Sequence, residues 1–136
     1  MQNNTLNIPF APGMHLLIDL YGASHLDDID HIDSTLRKAA AACGVTVLSV
    51  HLHSFGNQSG VTGVAILAES HITIHTWPEI NFVALDIFLC GNRDPNLAVP
   101  VFEQSFAPQD IVLIASTRGK ELQKKYDTKL FLNSTT

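Results

Sequence analysis

Charge is scarce in this chain, and what there is leans acidic. Of 136 residues 15% are charged, with 13 Asp and Glu against 8 Lys and Arg, for a formal net charge of -5. No basic run and no aromatic ladder accompanies that balance, which excludes a phosphate- or nucleic-acid-binding surface. Cysteine is scarcer still, since Cys43 and Cys90 are the only two. The two could in principle pair, but without a signal peptide two cysteines more often mean reduced thiols in a cytoplasm. The opening MQNNTLNIPFAPG has neither a basic n-region nor a long apolar core, so it does not read as a secretory signal. No run approaches about 18 apolar residues, so no helix is expected to span a membrane. Internal repeats and low-complexity tracts are missing, and so is the G-x-S-x-G elbow of a serine hydrolase.

What is present is apolar. Hydrophobic residues make up 46% of the chain, enough for one core, and the length is that of a single domain over 1–136. Residues 1–12, broken by Pro9 and Pro12, and about 120–136 read as loose ends. MHLLIDLY (14–21) reads as a strand, and Gly22 to Ser24 as a turn with Ser24 able to cap the next element. Leu26, Ile29, Ile32, Leu36, Ala39, Ala40 and Cys43 recur at steps of three and four, which predicts a helix over 26–43 stopped by Gly44. Asp27, Asp28 and Asp30 fall at its positive end. Strands come next over 45–55, 61–68, 71–77 and 81–89, with GNQSG (56–60) and Pro78 between them. A second helix over 97–106 carries Pro100 inside it, Pro108 closes it, and 111–116 is a last strand. The tail from Thr117 is polar, with a short helix around 121–126. Short loops between the middle strands imply antiparallel pairing. The fold class is therefore α+β, a mainly antiparallel sheet with two helices on one face. The other face needs a cover, and a second copy of the chain is the simplest one.

The residues that could carry chemistry crowd into ESHITIHTWPEINFVALDIFLCG (69–91). His71, Thr73 and His75 share one face of a strand, as do His51 and His53 of another. Four imidazoles on a sheet could bind zinc, but no carboxylate or cysteine falls at a recognisable ligand spacing, and no metal is expected. Ser70 taken alone reads as a structural serine. Cys90, before Gly91 at a strand end, is either a reactive thiol or a small buried hydrophobe.

Taken together, these residues resemble the S-adenosylmethionine decarboxylase proenzymes of the short bacterial and archaeal form. The resemblance rests on AESHITIHTWPE from Ala68 to Glu79 and VALDIFLCG from Val83 to Gly91. GMHLLIDLYG, HLHSF and GVTG fall at the matching places, and about Gly13 to Gly119 is covered. It implies an S-adenosylmethionine decarboxylase-like sandwich that cuts itself between Glu69 and Ser70, into a β chain of 1–69 and an α chain of 70–136. Residue 70 then becomes a pyruvoyl group, so no external cofactor is needed. The ketone forms a Schiff base with the substrate amine and acts as an electron sink during decarboxylation. His75 matches the processing histidine and Thr62 the processing hydroxyl. Cys90 matches the proton donor, Glu79 the binder of the ribose hydroxyls, and Phe55 the platform for adenine. Trp77 and His15 line the same cavity. The implied partner is a second protomer, with Ser70 and Cys90 of one chain facing Phe55, Thr62, His75 and Glu79 of the other. The implied product is decarboxylated S-adenosylmethionine for spermidine synthesis. One departure stands out. The family loop F-x-P-x-G is here Phe55-Gly-Asn-Gln-Ser-Gly60, one residue longer and without proline. That loop borders the substrate pocket, which keeps a pyruvoyl-dependent decarboxylase of arginine or ornithine as the alternative. A non-catalytic metal- or ligand-binding dimer is a third reading.

Overall fold

The computed structural model describes residues 13–122 of the chain. Among the described residues six strands form one sheet: β1 (Gly13–Tyr21), β2 (Val47–Ser54), β3 (Val61–Leu67), β4 (Ser70–Trp77), β5 (Phe82–Leu89) and β6 (Asp110–Arg118). Their spatial order is β2-β3-β4-β5-β1-β6, and each neighbouring pair is antiparallel. Helices α1 (Ile29–Ala42) and α2 (Val99–Phe106) lie against one face. The α+β arrangement implied by the short loops is the one observed.

Alternation explains the two faces. Leu16, Ile18 and Leu20 of β1, Ile72 and Ile74 of β4, and Val83, Leu85, Ile87 and Leu89 of β5 point to the helices and are buried. Ile32, Leu36, Ala39 and Ala40 of α1 and Phe102 and Phe106 of α2 complete that core. Small alanines at the contact let α1 lie flat on the sheet. His31 ties the two helices together, its Nε2 lying 2.7 Å from the Ser105 carbonyl oxygen. The intervening residues form the other face, which carries no helix among the described residues. On it Leu17, Tyr21, Val112 and Ile114 of the adjoining strands β1 and β6 are each more than 40% exposed, as is Ile66 across the sheet on β3, an amount of open apolar surface of the kind that partners cover.

Several expected boundaries move. The first helix begins at Ile29 rather than Leu26, and its cap is Asp28, whose carboxylate accepts the His31 N–H at 3.1 Å. Ser24 is not the cap, because its hydroxyl donates to the Phe106 carbonyl instead. Leu26 entered the periodicity because it is buried, but it reaches the core from the loop. Pro100 falls in the first turn of α2, where its missing N–H has no partner to lose, after a 3-10 turn over Pro95–Ala98. The last strand runs on to Arg118, since Thr117 and Arg118 pair with Met14 and Gly13. The expected arm over 1–12 and nearly all of the short helix around 121–126 lie outside the described residues.

Candidate functional site

The β3–β4 hairpin has a two-residue loop, Ala68 and Glu69, closed by the pair Leu67 and Ser70. Glu69 sits at φ 63, a left-handed conformation that costs an L-residue other than glycine roughly 1–2 kcal/mol. Pairing of His71 with Phe88 carries Cys90, just past β5, up to that loop. The Cys90 thiol donates to the carbonyl oxygen of Glu69, Sγ to O 3.0 Å, and the Ser70 hydroxyl donates to the Ala68 carbonyl at 3.3 Å. Three features thus meet at the Glu69–Ser70 peptide: a strained φ, a donor on the carbonyl oxygen, and a hydroxyl on the next residue. They open onto a cavity of about 280 Å³ that Arg93 also lines. Only its nearness to Cys90 in the chain marked Arg93 in the sequence.

The other end of β4 holds a different set. His75 pairs with Thr62 across the β3–β4 ladder, and its Nδ1 lies 3.2 Å from the threonine hydroxyl oxygen. Trp77 stacks on Phe82 with ring centroids 5.3 Å apart. Phe55, Thr62, His75, Trp77 and Glu79 line a second cavity of about 420 Å³. Gly60 borders it because the loop passes so close to β4 that a Cβ there would lie 2.2 Å from the Thr76 carbonyl oxygen. Thr76 itself is buried and pins this end, donating to the Leu26 carbonyl at 2.6 Å and accepting the Val61 N–H at 2.8 Å. Ser70 and His75 are five residues apart on one strand, roughly 16 Å at strand rise. Within one chain they do not meet.

Between these ends, on the open face, lies a cluster that strand spacing alone did not disclose. Asp86 Oδ2 is 2.5 Å from His15 Nε2 and 3.1 Å from His71 Nε2, while Thr73 donates to Oδ1. Burial would push the Asp86 pKa up, but the hydrogen bonds from Thr73, His15 and His71 outweigh it and hold it below the ordinary value. His15 belongs to this cluster and is not among the residues lining the Phe55 cavity of its own chain. The four imidazoles do not gather either. His51 and His53 stand on the edge strand β2, opposite Val64 and Thr62, with β3 between them and β4. Asp86 could have been found from the alternation of β5 together with the antiparallel register to β4. The second thiol, Cys43, is buried, and burial is the main cause of its pKa rising to about 11, so it is inert.

The chain is thus a small α+β protein, an antiparallel sheet backed by two helices, with a hydroxyl and a thiol gathered on one strained peptide. A family model described as S-adenosylmethionine decarboxylase matches residues 14–119, and the chain belongs to that family. It is 36% identical over 108 residues to the S-adenosylmethionine decarboxylase proenzyme of Thermomicrobium roseum, covering 79% of this chain and 93% of that one. The proenzyme of Methanococcus maripaludis is 42% identical over 110 residues, covering 79% and 89%. The crystal structure of the adenosylmethionine decarboxylase from Aquifex aeolicus superposes with a TM-score of 0.72 at 33% identity, covering 80% of this chain and 92% of that chain. The family is one of pyruvoyl-dependent carboxy-lyases.

Proposed function

We propose that this chain is a proenzyme that cuts its own Glu69–Ser70 bond and then, as a homodimer in the cytoplasm, decarboxylates S-adenosylmethionine for spermidine synthesis. The observation that carries the reading is the Cys90 thiol on the Glu69 carbonyl oxygen at 3.0 Å, with Glu69 in a left-handed turn. The residues present fit a group made from Ser70. Rotation about χ1 would release the Ser70 hydroxyl from Ala68 and bring it onto the Glu69 carbonyl carbon. The C–N bond breaks, the serine proton goes to the freed nitrogen, and an ester replaces the amide. Thiol donation to the oxygen stabilises the charge that develops there, and relief of the strained φ offsets part of the uphill shift. A base then takes the α-proton of residue 70 while the Glu69 carboxylate leaves from Cβ. Tautomerisation, addition of water and loss of ammonia leave a ketone.

His75, polarised by Thr62, is the base in this reading, and it must come from the second copy because its own chain holds it roughly 16 Å away. The apolar open face is the surface on which that copy docks, and two-fold symmetry makes two complete sites from four half-sites. The ketone supplies an electron sink for loss of carbon dioxide. Cys90 holds a proton for the substrate carbon at the mouth of the smaller cavity. Phe55, which is 63% exposed, offers its ring to adenine, and Trp77 walls the same cavity. The Glu79 carboxylate accepts two hydrogen bonds from the ribose diol.

Intact mass should give two chains meeting at Glu69 and Ser70, the second blocked at its N-terminus, and Ser70→Ala should leave one chain without activity. Carbon dioxide release from S-adenosylmethionine should exceed that from ornithine or arginine. Release from a basic amino acid alone, with Glu79→Gln fully active, would replace this substrate with the alternative.

A further inference from the structure

Cleavage leaves residue 70 in a precarious place. As serine it is held by a peptide bond to Glu69, and its register partner in β3 is Leu67. As a keto cap it has no bond to Glu69 and no N–H to offer Leu67. What remains is the next residue. His71 pairs with Phe88 in β5, and its ring sits 3.1 Å from Asp86 Oδ2. Asp86 is itself fixed by strands on both sides, by Thr73 of β4 and by His15 of β1.

The proton positions are settled by the surroundings. Arg118 can only donate, and its Nη1 lies 3.3 Å from His15 Nδ1. His15 therefore presents its Nε2–H to Asp86. His71 presents Nε2–H to the same oxygen, and Thr73 its hydroxyl to the other. A carboxylate accepting three donors from two neighbouring strands is a hub that holds both rings in place. Phe88 packs beside both rings, with centroids 5.6 Å from His15 and 6.1 Å from His71, and restricts their rotation.

We infer that Asp86, acting through His71, is a positioning residue that holds the chain end created by self-cleavage, so that the carbonyl of residue 70 stays aimed at Cys90 and the substrate amine. This rests on the pyruvoyl reading above. While the hairpin is intact the Glu69–Ser70 bond holds that end as well, and once the bond is cut the anchor becomes its side-chain tether.

The test compares one substitution in two backgrounds of the full chain. His71→Phe keeps the ring and removes the hydrogen bond. In the cut protein, hydrogen exchange over residues 71–77 should speed up by about tenfold, against less than about twofold in the uncut Ser70→Ala background. In the cut protein kcat should fall by about tenfold with KM within about twofold, as misplacement of a reacting group predicts. His71→Gln, whose amide N–H can still reach Asp86, should restore most of both. Equal loss of protection in the two backgrounds, or an unchanged kcat, overturns the inference. If His71→Phe is not cut, Thr73→Val carries the test. It removes one donor to Asp86, and a cut chain with unchanged exchange and kcat again overturns the inference. A parent chain that never cuts sinks the pyruvoyl reading instead.

Discussion

The two ends of β4 are built for different tasks. At its start the chain turns on Glu69, a residue ill suited to φ 63, with a hydroxyl and a thiol beside it. At its finish the chain turns on Asn81, at φ 54, a residue whose side chain tolerates that region, and the neighbours are a base, a hydroxyl, two aromatic rings and a carboxylate. Among the described residues, the first end has an electrophile under strain and no imidazole in its cavity. The second has an imidazole, a carboxylate and two aromatic rings, the groups the proposed reading assigns to proton removal and binding. A strand is too stiff and too long to fold one end onto the other. In the proposed dimer a second copy reconciles them, and the sheet face left open among the described residues supplies the place for it.

The sharpest way to break that comparison is to put the two defects on separate chains. Ser70→Ala and His75→Ala should each remain uncut alone. Co-expressed, they form mixed dimers in which one site has both residues, so about one quarter of all sites should cut at random pairing. Intact mass reads this directly. Cleavage of His75→Ala by itself, or none in the mixture, removes the shared-site account.

Much of this was legible in the sequence, for physical reasons that differ by element. β4 and β5 alternate cleanly because one face is buried and the other is not, so the face holding His71, Thr73 and His75 was readable from spacing. The hairpin at Ala68 and Glu69 was harder, because Glu69 carries no turn signal. The start of α1 was misread because Leu26 is buried for tertiary reasons, which mimics a helical stripe. The Asp86 cluster was only half readable, since the side of Asp86 that faces β4 follows from alternation and register but its contact with β1 does not. His15, His71 and Asp86 are joined by strand order β4-β5-β1, and periodicity cannot give the order of strands. Arg93 reaches the cleavage-side cavity from a loop, where no period applies.

A smaller effect separates strain from chemistry at the first end. Glu69→Gly keeps the turn and removes the Cβ penalty. In the uncut Ser70→Ala background it should raise stability by about 0.5–1 kcal/mol net of the extra backbone entropy of glycine, read by chemical denaturation. In the otherwise native chain the same change should slow cutting by up to about tenfold, since strain relieved before the reaction no longer helps it. Faster cutting, or no gain in stability, would mean that the left-handed φ stores nothing used by the reaction. The corresponding change at the second end, at Asn81, has no such consequence for cutting.

The last effect lies between the ends and bears on stability rather than on cutting. Asp86 has its pKa lowered, because three hydrogen bonds outweigh burial, so its ionised form is favoured in the folded state. A carboxyl with a folded value below its unfolded value of about 3.9 contributes stability above that pH, and the contribution disappears as pH falls through the folded value. In the uncut background Asp86→Asn should therefore cost about 1–2 kcal/mol at neutral pH, and the gap should begin to narrow below about pH 4 and go on narrowing as pH falls through the folded value. Denaturation midpoints at pH 7 and pH 3 measure it. A gap of the same size at both would show that Asp86 stabilises β4 by packing rather than as an ionised acceptor. The hold on the cut end at residue 70 would then have to be sought in the ladder alone.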